Sequence, residues 1–280
     1  MTPAQVVLLV GAVLISFVVG SFTNVIIDRL PVALDEPNEF GEAYGTTPWR
    51  DVLGGRSRCS SCGEPVRPVD NIPVVSWLVL RGRCRACHAA IPSFHLLVEC
   101  AVPALTVLAL ALVGIDRQLP MALWLIPFGV AVVVIDHRTL IVPTKLVWPT
   151  FAVSVVIAVV VAVVGGHVDW LWGGAVGVAV LSGPLFVIWL IHPQGMGFGD
   201  VRLTVVLGWH IGFAAVVSGG RLSSAIFLAV SSLAFAALSG IFYGLIGLRS
   251  GLGKRIPFGP TLVLGALATV FLAGRIVAPL

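Results

Sequence analysis

Long apolar stretches constrain the fold of this chain more than any other feature. With 58% hydrophobic and only 11% charged residues, the sequence has too little polar surface to coat a water-soluble globule of 280 residues. A membrane-spanning helix needs about 20 mostly apolar residues, so we expect an all-α polytopic membrane protein, a bundle of about eight transmembrane helices. The predicted spans cover residues 5–27, 94–114, 119–136, 145–165, 170–191, 203–218, 223–247 and 258–277.

The distribution of lysine and arginine predicts how these helices are oriented. Basic residues in short loops stay on the cytosolic side of a membrane. Alternating sides along the predicted spans puts 14 of the 17 basic residues on one face, together with the long first loop. Both termini are therefore expected outside and the loop in the cytosol. The net charge of +4 reflects this topology and gives no support to nucleic-acid binding, because the basic residues are spread over several loops.

Three segments follow from this organisation. Residues 1–27 are the first transmembrane helix, residues 28–93 a cytosolic module, and residues 94–280 a transmembrane bundle. The module is the sole sizeable soluble segment, and it is too short to build a large apolar core. It would need a staple such as a metal ion to fold well.

Four cysteines in the module supply that staple. Cys59 and Cys62 form one C-x-x-C pair, Cys84 and Cys87 form a second, and 21 residues separate them. This spacing is typical of two knuckles that present four thiolates to one tetrahedral Zn²⁺. Two disulfides are the alternative, but a cytosolic loop stays reduced. With four protein ligands the zinc would be structural, and Cys100 is expected to be a packing residue.

Two aspartates are the candidate catalytic residues. Asp136 ends the third predicted span and Asp200 opens the sixth, both at the expected cytosolic edge. Ionising both of two neighbouring carboxyl groups is energetically unfavourable, so one stays protonated. One can then act as acid and the other as base on a single water. Glycines at 195, 197 and 199 would let an extended substrate approach the backbone closely. The alternative is that each aspartate caps a helix or sits in interfacial water.

Other polar residues receive lesser roles at this stage. His95, Glu99 and His210 fall inside predicted spans, where ionisable residues are costly, and we interpret them as buried hydrogen-bonding residues. The adjacent Asp28 and Arg29 are interpreted as an interfacial charge pair.

Taken in order, these motifs resemble those of the type IV prepilin peptidases, the bacterial leader peptidases of pilus and type II secretion systems. The resemblance covers nearly the whole chain. It comprises Gly20-Ser21-Phe22, Asn24-Val25 and Arg29-Leu30-Pro31, both cysteine pairs, Asn71-Ile72-Pro73, Ser76, Leu80-Arg81-Gly82-Arg83-Cys84, Asp136 seven residues before Pro143, Gly197-x-Gly199-Asp200, and Pro257-Phe258-Gly259-Pro260.

This resemblance implies an aspartic endopeptidase of the bacterial inner membrane. It would remove the basic leader of prepilins or pseudopilins at the cytosolic face, after a glycine. Asp136 and Asp200 match the family's catalytic pair, and Gly197 and Gly199 match its active-site loop. The resemblance also implies N-methylation of the new amino terminus with S-adenosylmethionine, an activity associated with the N-terminal region. It sets no oligomeric state.

The sequence departs from the family pattern at three places. Residues 94–96 read Phe-His-Leu where the family usually has Arg-Tyr-Pro, which bears on methylation. Arg202 stands where a lysine usually follows the catalytic motif, and Thr144 where an acidic residue often follows the proline.

Two alternatives come from other functional classes. A proton-coupled transporter would use membrane carboxylates as a proton relay and the zinc loop for regulation. However, neither aspartate lies near the expected mid-bilayer. A non-enzymatic assembly platform would bind a cytosolic partner through the zinc loop, but it gives no reason for Gly197-x-Gly199-Asp200.

Overall fold

Helices account for most of the structure, which is a computed structural model and describes residues 2–33, 44–193, 196–249 and 257–277. Eight helices of this described chain are long and apolar enough to cross a membrane, which confirms the polytopic all-α class. The helices are α1 (Pro3–Arg29), α2 (Trp49–Leu53), α3 (Val75–Val79), α4 (Ser93–Leu112), α5 (Leu119–Thr139), α6 (Thr144–Gly165), α7 (Trp170–Ile191), α8 (Phe198–Val217), α9 (Leu222–Arg249) and α10 (Gly259–Val277).

The chain reverses direction immediately after Asp136, and local residues explain why. Leu140 adopts a left-handed conformation with φ of 56°, and its N–H donates to the carbonyl of Asp136, which ends α5. Pro143 then caps the start of α6, where its missing N–H costs nothing. The turn therefore holds Asp136 at one end of the bundle.

Residues of the predicted module pack against the ends of α1 and α6. Arg29 donates hydrogen bonds to the carbonyls of Val52 and Gly54, and Lys145 donates to the carbonyl of Thr46. The prediction that Arg29 pairs with Asp28 was wrong, because the Arg29 guanidinium donates its hydrogen bonds to these carbonyls instead.

The module also contains a 3₁₀ turn and a two-stranded antiparallel sheet that the sequence did not predict. They are the turn Pro68–Asn71, β1 (Pro31–Ala33) and β2 (Tyr44–Thr46).

α8 lies at the centre of the bundle and is its most enclosed helix. It packs against α6, α7, α9 and α10, and also meets α5. Its contact with α7 is the closest, because glycines line both sides. A side chain on Gly177 would strike the backbone of Gly208 and Gly212, and one on Gly173 would strike Gly212. Small residues at this spacing let membrane helices approach backbone to backbone.

The structure extends the sixth predicted span toward the N-terminus. α8 begins at Phe198, five residues before the predicted start at residue 203, so Asp200 lies inside the helix. Gly195, expected in the substrate-binding loop, falls outside the described residues, as do Lys254 and Arg255, two of the 14 basic residues counted on the expected cytosolic face.

Candidate active site and four-thiol site

Asp136 is held in place by the first residue of α10. It lies in the last turn of α5 and only 4% of its surface is exposed. Its Oδ2 accepts a hydrogen bond of 3.0 Å from the backbone N–H of Gly259. A Cβ atom at position 259 would lie 2.7 Å from that oxygen, so only glycine lets the α10 backbone reach the carboxylate.

Asp200 is held by the glycine motif at the start of α8. It is the third residue of that helix, after the cap Gly197, where a carboxylate is favoured by the positive end of the helix dipole. A Cβ atom on Gly197 would lie 3.7 Å from Oδ2 of Asp200. A Cβ on Gly199 would lie 3.1 Å from the Cβ of Val142, which follows the turn after α5. The glycines thus bring the start of α8 against the α5–α6 turn.

The two aspartates lie close enough for the charge of Asp136 to act on Asp200. They come from different helices and share one end of the bundle. Such a pair of carboxyl groups can hold a water and exchange protons with it, which is acid and base chemistry without a metal.

Two features of this site escaped the residue-by-residue prediction. Gly259 was noted only within a motif of the resemblance, although the motif was a signal that its backbone approaches something closely. The second feature is a hydrogen bond from Arg202 to the hydroxyl of Thr144, which links α8 to α6. Arg202 also lies over the ring of Phe198, with 5.1 Å between the guanidinium carbon and the ring centroid. Arg202 and Thr144 are two of the positions where the sequence departs from the family pattern.

The four predicted cysteine ligands converge in the module. The sulfurs of Cys59, Cys62, Cys84 and Cys87 all lie within 4.8 Å of one another, and Sγ of Cys59 is 3.8 Å from Sγ of Cys87. Zinc–thiolate bonds of about 2.3 Å in a tetrahedron place sulfurs about 3.8 Å apart. The set therefore fits one metal ion with four thiolate ligands. Cys100 is remote from this group and exposed on the surface of α4.

Both cysteine pairs use the same backbone turn. The N–H of Gly63 donates to the carbonyl of Cys59, and the N–H of His88 donates to that of Cys84, four residues along in each case. Gly63 and His88 have φ values of 72° and 58°, so both close their turns in the left-handed region. The two knuckles thus have the same backbone turn.

A two-pronged ion pair supports the second knuckle. Arg85, between the second pair of cysteines, donates to both carboxylate oxygens of Asp70 at 2.9 and 2.6 Å. These hydrogen bonds lower the pKa of Asp70 from its usual value. The pair fastens the knuckle to the 3₁₀ turn before α3.

His210 and Glu99 both make hydrogen bonds with backbone groups. The ring of His210 is fully buried, 2.8 Å from the carbonyl of Val206 and 3.4 Å from the hydroxyl of Ser154. Ten residues of helix put it about 15 Å from Asp200 along α8. Glu99 accepts a hydrogen bond of 2.7 Å from the N–H of Val74 in the module. Both agree with the hydrogen-bonding interpretation.

The fold and these two groups of side chains define a class of protein. It is a multi-pass membrane bundle with a carboxylate pair at one end and a four-thiol metal site in an adjoining module.

Comparison with known proteins identifies the family. Residues 14–113 match the bacterial peptidase A24 N-terminal domain, and residues 123–248 match the type IV leader peptidase family. The chain is 34% identical to the prepilin leader peptidase/N-methyltransferase of Aeromonas hydrophila, over 90% of this chain and 86% of that protein. The proteins of the same name from Burkholderia pseudomallei (strain 1026b) and Dichelobacter nodosus are 31% and 32% identical, over 93% and 94% of this chain and 84% and 91% of theirs. No solved structure matches.

This chain therefore belongs to the type IV leader peptidase family, and it is a peptidase. The resemblance seen in the sequence is confirmed.

Proposed function

We propose that this chain removes the leader peptides of prepilins or pseudopilins at the cytosolic face of the bacterial inner membrane, and then N-methylates the new amino terminus. One observation carries the peptidase proposal. Asp136 and Asp200 come from separate helices, yet the close approach of Gly199 to Val142 brings the end of α5 and the start of α8 together at one end of the bundle. The names of the relatives supply the substrate class and the second activity.

The cytosolic location rests on the positions of the basic residues. The aspartate pair lies at the ends of α5 and α8, and the arginine-rich module joins the same end through α1 and α6. Basic loops stay in the cytosol, so the module, the aspartates and a leader entering from the cytosol share one compartment.

In the proposed mechanism, the scissile bond lies between Asp136 and Asp200 and water is the nucleophile. One carboxylate takes a proton from the water while the other, protonated, donates to the leaving nitrogen. The pair titrates as a unit, so acid and base are roles of the pair. The N–H of Gly259 keeps the Asp136 carboxylate in one orientation.

The module contributes a structural metal in this proposal. Cys59, Cys62, Cys84 and Cys87 would hold Zn²⁺ with no ligand position left for water, so the metal would supply folding energy. S-adenosylmethionine would act as a co-substrate for methylation.

The transporter alternative is weaker on two grounds. Both aspartates lie at the ends of helices, whereas a proton relay needs groups through the membrane. Membership of a peptidase family also favours hydrolysis.

Cleavage of a purified prepilin in detergent tests the peptidase proposal. We expect Asp136→Asn and Asp200→Asn each to lower the rate at least about 100-fold, because each removes one member of the acid and base pair. Asp116→Asn is the matched control, since Asp116 is exposed in the loop before α5, and it should cleave normally. Substantial cleavage by either active-site variant would contradict the proposal.

Product mass tests the methylation proposal in the same reaction. With S-adenosylmethionine present, the wild-type product should gain the mass of one methyl group in place of one hydrogen. An unchanged mass from a cleaving enzyme would restrict the protein to proteolysis.

A further inference from the structure

A second polar cluster lies where α1 crosses α4, apart from the aspartate pair. A Cβ on Gly20 would lie 3.3 Å from the Cα of Glu99, so the helix backbones nearly touch there. One turn nearer the module, Nδ2 of Asn24 donates to the carbonyl of His95 at 3.0 Å. A further turn along α1, the carboxylate of Asp28 lies 3.1 Å from Nε2 of His95.

Asn24 brings an unused acceptor into this cluster. The residue is 5% exposed, and its Oδ1 has no hydrogen-bond partner among the described residues. Its Nδ2 donates to the carbonyl of His95, so reversing the amide would place Oδ1 against that carbonyl oxygen. A buried acceptor without a donor is costly. Along α1, Asn24 lies one turn from Gly20, which faces the backbone of Glu99, and one turn from Asp28. The site lacks a donor.

The charges of the cluster favour a cationic donor. Asp28 and Glu99 supply two carboxylates at the same helix crossing as Asn24. Arg138 of α5 offsets part of this charge, since it lies 3.5 Å from the Asp28 carboxylate and 4.4 Å from the centre of the Phe94 ring. One carboxylate oxygen of Glu99 accepts a hydrogen bond from the N–H of Val74.

The cluster and the aspartate pair lie on opposite faces of one helix. Arg138 follows Asp136 by two residues, which is about 200° around α5. Asp136 faces Gly259 of α10, whereas Arg138 faces Asp28 of α1. About one helix diameter, roughly 10 Å, therefore separates Asp136 from Arg138, and the Asn24 cluster lies beyond Arg138 at the same end of the bundle.

We propose that the Asn24 cluster, formed by Asn24, Asp28 and Glu99, binds the newly formed α-amino group of the cleaved product. This proposal rests on the proposed peptidase function, which creates that group. An α-amino group has a pKa of about 8 and is mostly an ammonium at neutral pH. It offers three donors and a positive charge in a compact group, which matches one unpaired amide oxygen and two carboxylates at a single helix crossing. The site would hold the amino terminus for its modification.

The test compares two forms of one peptide. The probe is the mature product of a wild-type cleavage reaction, which carries the new amino terminus. It is used either with that amino terminus free or with it N-acetylated. Wild type should bind the free form more tightly than the acetylated form. Asn24→Leu should lower this ratio of affinities at least about ten-fold, since a hydrogen bond to a charged group is lost. Binding of the acetylated peptide should not change. Thr23→Val is the matched control, because Thr23 is an equally buried neighbour whose hydroxyl bonds within α1.

A second variant guards against loss of folding. Glu99→Gln removes the charge but keeps an acceptor for the N–H of Val74, and it should also weaken the preference for the free amine. Helical content and thermal unfolding in detergent report on the fold of both variants and should match wild type. Equal binding of the two peptides by wild type, or an unchanged preference in Glu99→Gln, overturns the proposal. Because wild-type cleavage is measured first, a failure of the peptidase function is seen separately.

Discussion

At the scale of single residues, the candidate active site depends on Gly259 having no side chain. Gly259 donates its N–H to Asp136 only because nothing projects from its Cα toward the carboxylate. A methyl group there would lie 2.7 Å from Oδ2 and 3.2 Å from Cγ of Asp136. The carboxylate would have to move.

We therefore expect Gly259→Ala to lower prepilin cleavage at least ten-fold, since a displacement of about 1 Å in an active site costs up to about 100-fold. Gly274→Ala on the same helix is the control, because its Cβ would meet no atom closer than 3.8 Å. Cleavage rates in detergent check this. Equal rates for the two variants would show that the Gly259 contact does not position Asp136.

At the scale of helices and modules, the contact between α7 and α8 fixes the helix that carries Asp200. Gly177 of α7 lies against Gly208 and Gly212 of α8, with backbone facing backbone. Since other helices pack against α8 on several sides, a displacement of α8 by α7 would also displace those helices.

Gly177→Ala should destabilise the bundle by about 1 to 3 kcal/mol, as overpacking of a close contact does. Gly183→Ala on the same helix should be neutral or slightly stabilising, because its Cβ meets nothing within 4 Å and alanine favours helix. Thermal unfolding in one detergent compares them. A similar melting temperature for both variants would contradict the importance of this contact.

The module makes a separate prediction at the same scale. Cys59→Ser should reduce bound zinc from about one ion per chain to near zero, because four thiolates close a structural site. Helical content should stay near that of wild type, since the spanning helices contain none of the four ligands. Cys100→Ser is the control and should retain the metal. Elemental analysis of the purified proteins gives the result, and zinc retained in Cys59→Ser would exclude the proposed ligand set.

At the scale of the whole molecule, one end of the bundle gathers the functional groups. The C-terminal ends of α1 and α5 and the N-terminal ends of α4, α6, α8 and α10 all contribute to it. The aspartate pair, the Asn24 cluster and the module therefore share one side.

Labelling with a membrane-impermeant maleimide tests which side this is. Asp116→Cys, in the loop at the opposite end, should react in intact cells, because sparsely charged loops are translocated. Asp51→Cys, exposed in α2 of the module, should react only after the cells are permeabilised. The reverse pattern would invert the proposed orientation and place the aspartates outside.

The sequence by itself determined the class and the number of spans of this protein, and it predicted the four cysteines that the structure brings together. Hydropathy sets the spans, because backbone polar groups in lipid must be satisfied within a helix. The spacing within each C-x-x-C pair fixes a local knuckle, so Cys59 and Cys84 could be assigned without a fold. The aspartates were visible as costly residues at span ends, although their meeting was only an expectation.

Tertiary structure alone decided the contacts between helices. The approach of Gly259 to Asp136 spans 123 residues, and that of Asn24 to His95 spans 71. No local preference encodes either contact, because each depends on which faces of separate helices meet and how closely they pack. The incorrect pairing of Asp28 with Arg29 has the same cause, since distant partners outcompeted the neighbour in sequence.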